Sequence, residues 1–195
     1  MPLDEPPRDA LLLRLQVLRC QAGDEAAFAA LYATYAPRTL RYLRGLVRDD
    51  ADDVQQETWL AVYRRVGQLA DAGAFVTWVY GIARHRAVDW LRKRRRVEVL
   101  AEGLALEAGH DAGAMDDDVD VRALPALVDA LPAALREVLV LRYQDDLTYG
   151  EIALVVGCAV GTIRSRLHHA KRRLHELLET TRADARPSTS PGDDA

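Results

Sequence analysis

The groups best placed to do chemistry in this sequence are guanidiniums, carboxylates and aromatic rings at helical spacing, and the chemistry they suit is recognition. Of the 26 basic residues only Lys93 and Lys171 are lysine. The planar arginine fork matches phosphates and base edges better than an ammonium does, although a compositional bias toward arginine gives the same ratio. Residues 80–96 carry Arg84, Arg86, Arg92, Lys93, Arg94, Arg95 and Arg96 against Asp89, a net charge of +6. Residues 162–178 carry Arg164, Arg166, Lys171, Arg172 and Arg173 against Glu176, a net of +4. A basic stripe on a helix is an electrostatic footprint for nucleic acid. A solvated helix face is the alternative reading of either stripe.

Aromatic residues gather near the first stripe. Trp59, Tyr63, Phe75, Trp78, Tyr80 and Trp90 are six of the 12 in the chain. Arginines beside rings suit single-stranded nucleic acid, whose bases stack on both. Plain core packing is the competing reading, and the stronger one for Phe75 and Trp78. Upstream, Asp53, Gln56 and Glu57 lie at i, i+3 and i+4, on one helix face. Carboxylates suit a first turn through the helix dipole; a docking surface for a protein partner is the functional alternative.

Covalent chemistry finds no equivalent. The sequence holds no nucleophile elbow, phosphate-binding glycine loop or metal-ligand spacing, so no catalytic residue, metal site or cofactor is expected. His168 and His169 are adjacent and point apart on a helix, which disfavours a shared metal. Cys20 and Cys158 are too few for a disulfide framework or a cysteine zinc site.

Helices must position these side chains, because helical periodicity is frequent and strand signals are poor. Helices are expected over 9–21, with Leu12, Leu15, Val17 and Leu18 as one stripe, and over 25–47, 51–66 and 75–95, with a loop at 67–73. Pro125 and Pro132 open two further helical segments, where proline is tolerated. The sharpest local pattern follows. Thr148 and Glu151 have capping-box spacing, Ile152, Val155 and Val156 form an apolar face, and Gly157 supplies a stop. After a four-residue turn, Ile163, Leu167, Ala170 and Leu174 recur as a buried stripe. That leaves Arg164, Ser165, His168, His169 and Arg172 on the exposed side. This is the pattern of a helix-turn-helix whose second helix enters the major groove. Arg164, Ser165 and His168 would meet base edges, and Lys171, Arg172 and Arg173 suit phosphate. A plain helical hairpin is the alternative.

The chain therefore reads as all-α, with two small helical domains, 1–96 and 124–180, joined by a flexible acidic linker over 97–123. That linker has eight acidic residues against Arg122 alone, and the segment 181–195 reads as a frayed tail. At 195 residues, 49% apolar and 29% charged, there is enough for two small cores. The overall charge of -4 argues against nucleic acid until it is divided by segment. The longest stretches without a charge are 12 residues, too short for a membrane span of about 20. No secretion leader is apparent, so a cytoplasmic protein without membrane insertion is expected.

Three strings, DADDVQQETWLAVYRR, FVTWVYGIARHRAVDWLRKRRR and LPAALREVLVLRYQDDLTYGEIALVVGCAVGTIRSRLHHAKRRL, occur in this order. Together they resemble the extracytoplasmic-function (ECF) group of bacterial RNA polymerase sigma factors, from about residue 23 to 178. The resemblance implies a non-catalytic initiation subunit that binds core RNA polymerase, recognises the −10 and −35 promoter elements and assists strand opening. It implies that Asp53, Gln56, Glu57 and Leu60 dock on the beta-prime clamp. Trp78, Arg84, His85, Arg86, Arg92 and Lys93 would serve the −10 element. Thr162, Arg164, Ser165, Arg166, His168, His169, Lys171 and Arg172 would serve the −35 element, with an apolar shoulder on the beta flap. For the acidic tether the resemblance implies a nucleic-acid mimic in the polymerase RNA path; a solvated spacer is the alternative reading. An anti-sigma factor is a further implied partner.

Four positions depart from the group's habit. His85 stands where Asn is common, Gly150 where Glu is usual, Ala159 where Ser or Pro caps the turn, and His169 where Arg is frequent. The resemblance therefore leaves the preferred promoter sequence open.

Overall fold

The protein, analysed as a computed structural model, is described over residues 8–102 and 124–184. Every regular element among them is helical: α1 (Arg8–Gln21), α2 (Glu25–Val47), α3 (Ala51–Arg65), α4 (Phe75–Glu102), α5 (Leu124–Asp129), α6 (Ala133–Tyr143), α7 (Tyr149–Val156) and α8 (Val160–Asp184). Three single 3-10 turns lie between helices: Arg48–Asp50, Val66–Gln68 and Ala72–Ala74. The last two occupy the expected loop, which Gln21 pins to α1 by donating to the Val66 and Leu69 carbonyls at 2.9 and 2.8 Å.

Local chemistry fixes the helix starts. Asp24 caps α2 by accepting from the Ala27 N–H at 3.0 Å, and this bond with the Arg19 guanidinium holds its carboxyl below the usual range. Both halves of the Thr148–Glu151 capping box form at the head of α7. Gly157 closes that helix in the left-handed region at φ 71°, where a side chain would be strained.

Three boundaries and faces differ from the sequence reading. In α1, Val17 and Cys20 are buried and Leu13 half-buried, whereas Leu11, Leu12, Leu15 and Leu18 are exposed. At about 100° per residue, Leu11, Leu15 and Leu18 form a second apolar face opposite Leu13, Val17 and Cys20. Periodicity alone cannot choose between two such faces. α4 continues to Glu102, past the expected end near residue 95 and into the expected linker. The added stretch, VEVLAE, contains no helix breaker, and the first one is Gly103. α8 likewise runs to Asp184, beyond residue 180. The rest of the expected linker, 103–123, and of the expected tail, 185–195, lies outside the described residues.

Two clusters of buried side chains hold the fold together. One joins α1, α2, α3 and the start of α4 through Val17, Leu31, Trp59, Val62, Phe75 and Val79. The other crosses between the two units. It brings Tyr42, Leu43, Val54, Tyr80, Ala83 and Ala87 together with Leu131, Val138, Leu141, Ile152, Ile163 and Leu167. α6 lies on α2, and α7 lies on α4. The helix-turn-helix unit is thus docked against the N-terminal helices.

Candidate nucleic-acid interface

The acidic helix α3 buries Val54, Gln55, Thr58, Trp59, Ala61 and Val62, which turns Asp53, Gln56, Glu57 and Leu60 outward together. A buried polar network fixes that rotation. Gln55 donates to the Ala36 carbonyl at 2.8 Å, Thr39 donates to Gln55 Oε1 at 3.0 Å, and Trp59 Nε1 donates to the Thr39 hydroxyl at 3.1 Å. Beside this face runs a groove of about 710 Å³ between α2 and α3, lined by Phe28, Tyr32, Pro37, Gln56, Leu60 and Tyr63 among others. Pro37 sits inside α2 and has no N–H for the Ala33 carbonyl, so an acceptor is released where Ala33 and Pro37 line the groove. Exposed rings, an apolar floor and a carboxylate rim suit a protein partner.

The basic helix α4 splits its side chains between core and surface. Phe75, Val79, Tyr80, Ala83 and Ala87 are buried, so the core reading of Phe75 holds. Trp78 is half-buried and faces a cavity of about 490 Å³ with Arg65, Thr77, Ile82, His85, Arg86 and Leu154. The structure thereby brings together Trp78, His85 and Arg86 of the expected −10 set. It places Arg84 elsewhere, against Glu137, with Nε 2.9 Å from Oε1. Arg92 and Lys93 are exposed further along the helix. Lys93 instead lines a smaller cavity with Glu57, Arg64, Arg65 and Arg86. Carboxylates accompany many of these cations: His85 and Arg92 approach Asp89 at 3.2 and 3.9 Å, Arg86 approaches Glu57 at 3.8 Å, and Arg94 pairs with Asp50 at 2.8 Å.

In α8 the expected stripe is realised. Ile163, Leu167 and Ala170 are buried and Leu174 is half-buried. Thr162, Arg164, Ser165, His168, His169, Lys171 and Arg172 are exposed, and Arg166 is half-buried at the margin. Arg164 forms no ion pair among the described residues. Further along, Arg172 and Arg173 both reach Glu176, at 3.6 and 3.1 Å. Lys171 lies 5.4 Å from the centre of the Tyr143 ring, and a hydrogen bond with that side chain keeps its ammonium above the usual value. Among the described residues no three His, Cys, Asp or Glu side chains gather to hold a metal ion, and no helix is long and apolar enough to cross a membrane.

Comparison with known proteins gives this arrangement its family. The family described as Sigma-70 region 2 matches residues 31–97, and that described as Sigma-70, region 4 matches residues 122–174. The RNA polymerase sigma-H factor of Pseudomonas aeruginosa is 33% identical over 178 residues, covering 84% of this chain and 92% of the relative. The ECF RNA polymerase sigma factor SigD of Mycobacterium tuberculosis is 34% identical over 174 residues, covering 83% and 82%. The chain belongs to the ECF sigma factors. Among solved structures, the sigma factor RpoE of Bartonella quintana, in complex with the anti-sigma factor NepR, aligns with a TM-score of 0.64 at 26% identity, covering 78% of this chain and 96% of RpoE. CnrH, solved with the cytosolic domain of CnrY, aligns at 0.60 and 23% identity over 86% and 97%, which shows the shared fold.

This chain is therefore a promoter-recognising sigma factor of RNA polymerase. Several residues of the sigma factor's surfaces escape a reading of the sequence. Phe28 and Tyr32 on the groove have no signal beyond being aromatic in a helix whose buried face is set elsewhere. Arg65 joins the α4 cavity from the end of α3. Glu137, 7% exposed, and Asp145, 9% exposed, are buried acids. A charge inside the apolar run LREVLVL was the available hint at Glu137.

Proposed function

We propose that this ECF sigma factor docks on core RNA polymerase through α3 and its groove, reads the −10 element through α4 and reads the −35 element as duplex through α8. Asp53, Gln56, Glu57 and Leu60 meet the beta-prime clamp. Trp78, His85 and Arg86, around the α4 cavity, capture unstacked bases and so assist strand opening, while Arg84, Arg92 and Lys93 hold the backbone. On α8, Thr162, Arg164, Ser165 and His168 lie near the helix start where base edges are met, and Arg166, His169, Lys171 and Arg172 serve phosphates. The apolar shoulder of the helix-turn-helix seats on the beta flap. The protein performs no covalent step, works in the cytoplasm and is a partner for an anti-sigma factor, as RpoE is for NepR.

The observation that carries this reading is the exposed face of α8, held out by a fully buried Ile163–Leu167–Ala170 stripe behind a formed capping box. The 21 residues between α4 and α5 reach at most about 70–75 Å, close to the ~70 Å of two duplex turns. Run-off transcription with purified core polymerase tests the reading. Promoter-specific transcripts are expected only when the protein is added. Tight duplex binding by the protein alone, with no specific transcript from any genomic fragment, would instead indicate a stand-alone DNA-binding regulator.

A further inference from the structure

We propose that Gly81 is a specificity-determining residue of this sigma factor: its missing side chain leaves a notch between Trp78 and His85 that seats an unstacked purine base of the −10 strand. The inference rests on base capture by the α4 cavity and names the class of base that the cavity takes.

Gly81 stands where a helix gains least from a glycine. It lies inside the 28-residue helix α4, and glycine there is destabilising relative to alanine because it orders more backbone and packs no side chain. The other described glycines of the α-helices, Gly45, Gly150 and Gly161, lie in a first or last turn. Backbone conformation does not require Gly81, since among the described glycines only Gly23 and Gly157 have positive φ. Close packing does not require it either. A Cβ built on Gly81 meets nothing within 4 Å, whereas one on Gly73 would overlap the Arg14 guanidinium at 2.6 Å. Space is what this glycine provides.

That space belongs to the cavity of about 490 Å³, which Gly81 lines. Thr77, Trp78, Gly81, Ile82, His85 and Arg86 meet it from one stripe of α4, at i, i+1, i+4, i+5, i+8 and i+9. Gly81 follows Trp78 by three residues and precedes His85 by four, so on the helix surface it is a neighbour of both. Trp78 and Gly81 are half-buried and His85 is exposed, which leaves the notch open to a strand. The two rings stand seven residues apart, ~10.5 Å of helix rise, and a stacked base takes up about 3.4 Å. The gap therefore admits a flat base against either ring, over the bare backbone at Gly81. A side chain at this position would fill the gap from between the rings. A two-ring base overlaps such walls more than a one-ring base does, and stacking strengthens with that overlap. Arg65 and Arg86, at the same cavity, offer guanidiniums to the phosphate of the captured nucleotide.

The test uses the full chain with core polymerase and the single-stranded non-template −10 sequence of a promoter found by run-off transcription, with binding read by fluorescence anisotropy. Abasic substitution at each position in turn locates the captured base, and purine and pyrimidine are then compared there. The unmodified protein is expected to bind the purine strand more tightly. Gly81→Ala is expected to melt about 2–4 °C higher, as helix propensity requires, yet to bind the purine strand about tenfold more weakly. Its affinities for the abasic strand and for core polymerase are expected to stay those of the unmodified protein. A glycine without a role in capture would raise the melting temperature and leave every strand bound as before. Unchanged purine binding in Gly81→Ala, an equal loss on the abasic strand, or a preference of the unmodified protein for pyrimidine overturns the proposal while base capture stands. If no abasic substitution weakens binding by the unmodified protein, base capture by α4 fails and the purine seat fails with it.

Discussion

The two basic helices start from similar composition and end in opposite situations. On α8 the reading residues project outward, and the acid that engages Arg172 and Arg173 is their own helical neighbour Glu176. On α4 Arg92 likewise approaches its helical neighbour Asp89, but three other cations meet carboxylates from elsewhere in the fold: Glu137 for Arg84, Glu57 for Arg86 and Asp50 for Arg94. Similar basic stripes thus do not make equal interfaces. Both helices bury their apolar side in the same cross-unit cluster, but α8 turns its cations to solvent, whereas α4 has Arg84 engaged by the second unit. The overall charge of -4 is consistent with this, since the acids that offset the arginines include those that hold them.

The largest expected effect tests whether the two helices really share a core. Ile163 is fully buried and belongs to the cluster that includes Tyr42 and Tyr80. Ile163→Ala should cost about 2–5 kcal/mol, and thermal unfolding should shift as one transition. Two transitions, with only one of them moved, would separate the units energetically and weaken the comparison. Next, Arg164→Ala should lose about 1–3 kcal/mol of −35 duplex binding without changing core-polymerase affinity. Glu57→Ala should do the reverse, lowering core affinity in a pull-down titration and sparing isolated −35 binding. Equal losses from either change would contradict the division of labour.

A pH experiment sharpens the contrast further. Burial raises the Asp145 carboxyl above its ordinary value, opposed by the Tyr80 hydroxyl of α4 and by Arg38 and Arg41 of α2, with Asp146 adding to the rise. A raised folded-state value means stability that is complete below the unfolded value of 3.8 and lost as pH climbs through the folded one. Asp145→Asn should therefore melt higher than the unmodified protein at neutral pH, with the gap narrowing on acidification. Among the described residues no carboxylate pairs with Arg164, so Arg164→Ala should leave this pH dependence alone. The smallest effect is at Gly150, in the first turn of α7, where an added Cβ meets nothing nearer than the Thr148 hydroxyl at 4.0 Å. Gly150→Ala should stabilise by about 0.5–1 kcal/mol and leave α4 unaffected.

What could be read from the sequence was what local chemistry decides. The capping box, the Gly157 stop and the i, i+4, i+7 stripe of α8 lie within a few turns of one another, and they formed as spacing predicts. The outward set of α3 was legible for the same reason. What could not be read depends on distant partners. Glu137 meets Arg84 and Tyr42 across 53 and 95 residues, and no pattern near any of them announces it. α1 offered two apolar faces, and only the position of α2 decides which is buried. The end of α4 was misplaced because acidic composition resembles a linker even where Val97 to Glu102 favours helix.

Footprinting the protein with core polymerase on a promoter it transcribes tests the central claim most directly. The account predicts protection of the −35 and −10 elements in one complex, with permanganate-reactive thymines around the −10 element that marks strand opening. Protection of a single duplex site, equally strong without polymerase and with no reactive thymines, would contradict it.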